Sequence, residues 1–276
     1  MNGQVVGKGR EPGKKDCYMT LLKELYSYRE MIFSLVRRDL RGRYKGSALG
    51  FLWTFLNPLL QLGVYTLVFS VIMRNGIKDY YLFLFVALVP WIFFSASVTG
   101  GSTCIWDQQD MVKKIYFPRE VLPISFVTSQ FVNMILSLLV VFAVLVVSGK
   151  GVNGLALLYL PIIMLVEYVL ALSITMIVSA MTVYLRDIQY LLGIIVMAWQ
   201  FLSPVMYSVE QVPEDVMPFF MLNPMTPVIT AYRDILYYQQ SPELVTLIHA
   251  SAMGIILMFA GIFTFSKLQR RFAEVM

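Results

Sequence analysis

Charge is scarce in this 276-residue chain: 14% of residues are charged, against roughly 25% in a soluble domain, while 58% are hydrophobic, against roughly 45–50%. That shortage excludes an ordinary water-soluble enzyme, a secreted scaffold and a disordered segment. Histidine is nearly missing. The single copy, His249, sits near the end of an apolar run and reads as a satisfied helix-end residue rather than a proton carrier. Two cysteines, Cys17 and Cys104, are too few and too far apart for a disulfide framework or a metal site. A phosphate-binding loop is lacking as well. Gly9 to Lys15 (GREPGKK) has one residue too few between its glycines and no Ser or Thr after the lysine. Neither clustered carboxylates nor a His-Asp pair lies where a membrane-embedded glycosyl- or acyltransferase would need them.

What the chain does have is long apolar runs. Crossing a hydrocarbon layer about 30 Å thick takes ~20 apolar residues in helical form, because backbone N–H and C=O groups find no water there. Six stretches are long enough: approximately Ala48 to Met73, Tyr80 to Cys104, Val121 to Val147, Leu157 to Val183, Ile188 to Tyr207 and Leu244 to Ser266. The sequence thus predicts an all-α integral membrane protein with six transmembrane helices. Of its 22 Lys and Arg, eleven lie in the first 47 residues, three in 105–120, one in 184–187 and three in 267–276. Only Arg74, Lys78, Lys150 and Arg233 fall on the other side. Basic residues collect on the cytoplasmic face, so both termini are expected there, with no cleavable signal before the first span. The net charge of +5 therefore reports orientation, and no nucleic-acid partner follows from it.

Three segments are distinguished along the chain. Residues 1–19 are expected to be a flexible cytoplasmic tail. Residues 20–47 place Leu21, Leu25, Tyr28, Ile32, Leu35 and Leu40 at near-helical spacing among arginines, which predicts an amphipathic interface helix along the inner leaflet. The six-span domain fills 48–276, and within it the stretch 208–243 is too apolar for a free loop. A seventh crossing there would bury Arg233 and Asp234 at ~2.5–3.5 kcal/mol each and put the C-terminal basic cluster outside. Re-entrant helices on the outer face, at 209–240, are the expected solution.

Few residues offer chemistry. Glu167 is the one acid deep inside a span, and both a functional carboxylate and a structural hydrogen bond fit it. The first span carries Trp53, Asn57, Gln61, Tyr65 and Phe69 at steps of four, and the fifth carries Tyr190, Gln200 and Tyr207 at helical spacing with Ser203 beside them. Amides bond hydroxyls and aromatic faces pack on sugar rings, so these stripes suit a passage for sugars; interhelical contacts and an interfacial aromatic belt fit them equally well. The loop from Asp107 to Glu120 mixes charge with two aromatics expected to be exposed, Tyr116 and Phe117, in the manner of a docking surface or of a short anchored interfacial helix.

Four ordered motifs carry a family pattern: Arg38 to Leu59 (RDLRGRYKGSALGFLWTFLNPL), Tyr116 to Pro123 (YFPREVLP), Val183 to Ile188 (VYLRDI) and Asn223 to Leu236 (NPMTPVITAYRDIL). Together they resemble the ABC-2 type polysaccharide export permeases, the membrane subunits that export O-antigen, capsular polysaccharide and wall teichoic acid. The resemblance implies a homodimer in the bacterial inner membrane, with two separate nucleotide-binding subunits that use ATP and Mg while this chain binds no cofactor. It implies a cargo of glycan on an undecaprenyl pyrophosphate carrier. It also implies roles for residues. Asp110, Lys113, Lys114, Tyr116, Phe117, Pro118, Arg119 and Glu120 would couple to the ATPase. Trp53, Asn57, Gln61, Tyr65, Phe69, Tyr190, Gln200, Ser203 and Tyr207 would line the channel. Asn223, Pro224, Pro227, Arg233 and Asp234 would form the outer gate. Arg37, Arg38, Arg41, Arg43 and Lys45 stand where guanidinium and ammonium groups would meet the pyrophosphate, or anionic membrane lipids, at the inner leaflet. An ABC-2 exporter of lipids or drugs would share the layout with a greasier passage.

Overall fold

The computed structural model describes residues 23–44, 46, 49–73 and 76–275, and for 43, 44, 273 and 274 the backbone alone. The expected tail at 1–19, Lys45 and the Arg43 side chain lie outside the described residues. Among the described residues every regular element is helical. We number the α-helices α1 (Arg29–Tyr44), α2 (Trp53–Thr66), α3 (Tyr80–Gly101), α4 (Gln109–Lys114), α5 (Val121–Val147), α6 (Gly154–Leu157), α7 (Leu160–Tyr184), α8 (Ile188–Phe201), α9 (Met217–Met221), α10 (Met225–Leu236), α11 (Leu244–Leu268) and α12 (Phe272–Val275).

Five continuous helical stretches are long and apolar enough to cross a membrane: Gly50–Ile72, Tyr80–Gly101, Val121–Val147, Gly154–Tyr184 and Leu244–Arg271. The fifth expected span, Ile188 to Tyr207, differs. Its apolar run reaches Tyr207, yet α8 has 14 residues and a length of about 21 Å. Pro204 explains the early stop: its ring disfavours helical geometry at the preceding residue and it has no N–H to return to residue 200. The chain turns from Leu202 to Met206 and comes back through α9 and α10.

Helix α3 is the centre of the bundle. Its sequence is apolar on every side, and it packs on α2, α5, α7, α8 and α10. Close backbone contact ties it to α7. A Cβ on Gly101 would lie 2.4 Å from Thr175 Cγ2, and Thr175 Oγ1 donates to Ser97 O at 3.0 Å. The most extensive pairing joins α7 to α11, where a Cβ on Gly261 would come within 2.8 Å of Ser173 O. Small residues at such seams let dispersion and backbone contact replace the hydrophobic drive that lipid removes.

Among the membrane-length stretches Gly50–Ile72 is the least covered, and the short α8 is little covered as well. Thr54, Pro58 and Leu62 are buried in α2, and Leu192 and Val196 in α8. The first span is also wound unevenly, from a 3-10 turn at Gly50–Leu52 to a π-helical end at Leu67–Ile72. A π-turn holds more residues, so the drift expected of a four-residue stripe is partly undone between Tyr65 and Phe69.

In α1, Leu35 and Val36 are buried and the helix packs on α5, where Asp39 accepts a hydrogen bond from Ser129 Oγ. Phe33 remains exposed.

Candidate functional site

The basic end of the bundle carries α1 and the loop 106–120. Arg37, Arg38 and Arg41 are exposed along α1. Arg38 lines a small cavity of about 100 Å³ with Asp39, Asp107 and Gln108. The adjacent loop divides its residues. Asp110, Lys113 and Lys114 on α4 are outward, with Lys114 3.9 Å from Asp110, and Tyr116 is 97% exposed. Phe117, expected outside with it, is 5% exposed and belongs to the core, because the chain leaves α4 in extended form, where neighbouring side chains point opposite ways. Pro118 is half-buried. Glu120 is buried and accepts from Gln269 Nε2 at 2.7 Å, while Arg119 donates to Gln269 O and stacks its guanidinium 5.6 Å from the Phe272 ring. Nearby, Tyr184 donates to Leu268 O at 2.7 Å and Arg186 lies 3.5 Å over Trp106. The loop is thus rooted on the end of α11 and offers α4 and Tyr116 to whatever binds there.

The opposite end is built around a helix that stops short. Residues Leu202 to Tyr207 leave carbonyls without helical partners, and buried side chains take them. Asn223 Nδ2 donates to Leu202 O at 2.9 Å and to Ser203 Oγ at 2.8 Å, while Asn223 Oδ1 accepts from Trp199 Nε1 at 2.8 Å and from Met225 N at 3.0 Å. Arg233 Nη2 donates to Val205 O at 2.8 Å and Nη1 to Tyr207 O at 3.0 Å, with its guanidinium 3.6 Å over the Phe83 ring. Tyr80 donates to Met206 O at 2.7 Å. Asp234 accepts from Gln240 Nε2 at 3.2 Å, Pro227 is buried, and Pro224 precedes the first turn of α10. Ser203, expected on a channel wall, is fully buried inside this network, because its place after the last helical turn points it at Asn223 rather than along the α8 face.

Glu167 is tied into the same end. Tyr232 on α10 donates to Glu167 Oε2 at 2.6 Å, joining α10 to the long helix α7. One carboxylate oxygen serves this structural bond, and the other, Oε1, is buried without a hydrogen-bond partner among the described residues. Outside the spans, Lys150 sits 3.4 Å over the Tyr237 ring, and burial pulls its ammonium below the usual lysine value while Asp79 pulls the other way.

Between the two ends, α2 and α8 turn a mixed face outward. Trp53, Asn57 and Tyr190 are exposed; Gln61, Tyr65, Phe69, Gln200 and Tyr207 are half-buried. Gln61 Nε2 donates to Asn57 Oδ1 at 3.1 Å, Gln200 Nε2 lies 3.5 Å from Tyr65 Oη, and Tyr207 donates to Phe201 O at 2.8 Å. Two further amides, Gln130 and Asn133 of α5, stand outside the stripes expected from the sequence, although polarity inside an apolar helix marks them. Both line a cavity with Trp53 and Asn57. No group of three or more His, Cys, Asp or Glu that could hold a metal occurs among the described residues.

Comparison with known proteins places this architecture. Residues 30–237 match the family described as ABC-2 type transporter. The chain is 38% identical over 256 residues to the O-antigen export system permease protein RfbA of Myxococcus xanthus, covering 92% of this chain and 98% of that one. It is 29% identical to the RfbA of Klebsiella pneumoniae over 90% of this chain and 95% of that one. Similarity extends at 22% identity to the polysialic acid transport protein KpsM of Escherichia coli, over 83% and 90% of the two chains. With three quarters of its length matched and a relative of this identity aligned nearly end to end, the chain belongs to the ABC-2 type transporter family.

Proposed function

We propose that this chain is the membrane subunit of an ATP-driven exporter that carries a polysaccharide, linked to undecaprenyl pyrophosphate, out of the bacterial cytoplasm across the inner membrane. The observation that carries this reading is the near full-length similarity to a permease named for O-antigen export. The basic end then faces the cytoplasm, in line with the placement of Lys and Arg. Helix α8 and the turn after it make a short fifth of six crossings, and α9 with α10 form a re-entrant outer gate, whose irregular backbone is covered by side chains as a lipid setting demands.

The cargo needs a passage that one copy does not enclose. The sparsely covered faces of α2 and α8 support a homodimer in which Trp53, Asn57, Gln61, Tyr65, Tyr190 and Gln200 line the shared channel. Energy comes from two separate nucleotide-binding subunits, which bind ATP and Mg and dock on α4 and Tyr116; their closure rocks the two halves of the dimer. Arg37, Arg38 and Arg41, with Arg43 and Lys45, hold the pyrophosphate at the inner leaflet through charge-assisted bonds.

Deleting the gene in its host tests the reading. Surface polysaccharide should vanish and lipid-linked polymer should accumulate inside, and Arg38→Ala with Arg41→Ala should reproduce that phenotype with normal protein levels. A deletion strain with unchanged surface polysaccharide overturns the cargo. Unchanged export in the double variant removes α1 from headgroup binding.

A further inference from the structure

The cavity of about 270 Å³ lies between α2, α3 and α5 and shares Trp53 and Asn57 with the face proposed to line the channel. Its walls alternate two kinds of surface. Asn57, Gln130, Asn133 and Ser137 bring amides and a hydroxyl, and Trp53 and Phe93 bring aromatic rings. No Lys, Arg, Asp or Glu takes part in the lining.

Each feature narrows the ligand. Without a cation the cavity has nothing to neutralise a phosphate, so it is not a headgroup site. Asn57, Gln130, Asn133 and Ser137 set four polar side chains along the walls, which a hydroxylated ligand can bond and an acyl chain cannot. Size sets the scale: a buried apolar cavity of roughly 150 Å³ accepts benzene, whereas drug-sized ligands take roughly 300–1,000 Å³. A single six-membered ring with its substituents fits between those limits. Hydroxyl and acetamido groups are met by amides, and the apolar face of a pyranose by an aromatic ring. The pocket is also built rather than accidental, because Ser137 Oγ donates to Thr54 O at 3.3 Å and fixes α5 against α2 where the walls meet.

We infer that this pocket is a subsite for one uncharged sugar ring, held by Asn57, Gln130, Asn133 and Ser137 and stacked by Trp53 or Phe93. It deepens the export reading and rests on it, naming where within one subunit a saccharide unit of the cargo is held.

The probe is the methyl glycoside of N-acetylglucosamine, with methyl glucoside alongside, observed by saturation-transfer NMR on the full chain in lipid nanodiscs. Saturation of at least one glycoside is expected, and Asn133→Leu and Ser137→Leu should each weaken it fivefold or more. Asn133→Gln, which keeps the amide, should retain it, and thermal unfolding of each variant identifies one that is merely misfolded. Saturation that survives both filling variants places sugar binding elsewhere and overturns the subsite. No saturation with either glycoside, from a chain that restores surface polysaccharide to a deletion strain, overturns it too and leaves a water-filled pocket. Failure of the unaltered chain to restore that polysaccharide defeats the export reading instead, whatever the NMR result.

Discussion

The two ends of the molecule meet the same problem, irregular backbone beside a membrane, and treat it in opposite ways. Where the chain turns after α8, side chains from other elements hold the backbone: Asn223, Arg233 and Tyr80 take the carbonyls of residues 202, 205, 206 and 207. At the basic end the loop is anchored by Arg119 and Glu120 on Gln269, by Arg186 over Trp106 and by the buried Val112 and Phe117, while the charged side of α4 and Tyr116 stand clear. Backbone that water cannot reach has to be satisfied by protein, whereas backbone that water can reach is free to be spent on a partner.

Substitutions should grade along that contrast. The largest loss of stability is expected from Arg233→Met, which strands two buried carbonyls. Each carbonyl left without its donor costs about 1–3 kcal/mol, together roughly 10 °C in Tm, and Arg233→Lys should recover only part because an ammonium lacks the planar fork that reaches both oxygens. Thermal unfolding in detergent measures it, and a shift under a degree or two would show that the turn is held by something else. Asn223→Ala comes next, at about 2 kcal/mol, since it removes an amide that closes four hydrogen bonds around one short stretch. Arg119→Ala should cost about 1 kcal/mol, because Glu120 keeps its own bond to Gln269. Smallest in stability is Lys113→Glu with Lys114→Glu, expected within about 0.5 kcal/mol as an exposed pair. That double reversal should nevertheless abolish export and uncouple ATP hydrolysis in the assembled transporter, and normal coupling would take α4 out of the docking surface.

How far these features were legible in the sequence depends on the range of the interaction. Five spans were readable because length and hydropathy are local properties, and Val121–Val147 appears with the expected bounds. The short α8 was not, since the apolar run through Tyr207 concealed the stop that Pro204 imposes three residues after its last turn. Tyr116 and Phe117 are neighbours of like chemistry, and only the direction in which the extended chain leaves α4 separates surface from core. Arg233 stood out as a costly charge, but its partners lie 26 and 28 residues away. Glu167 stood out in the same way, and its partner Tyr232 is 65 residues distant. Unusual residues announce themselves; whom they bind is settled by packing.

The seam between α7 and α11 carries a mechanical consequence. Where Gly261 rests against the Ser173 carbonyl there is no side chain to bend, so neither helix can slip past its neighbour without first parting from it. The two behave as one stiff beam, gripped at Leu268 and Gln269 by Tyr184 and Arg119 at one extremity and fastened through Glu167 to Tyr232 toward the other. A tug on the near extremity is expected to move the far one with it.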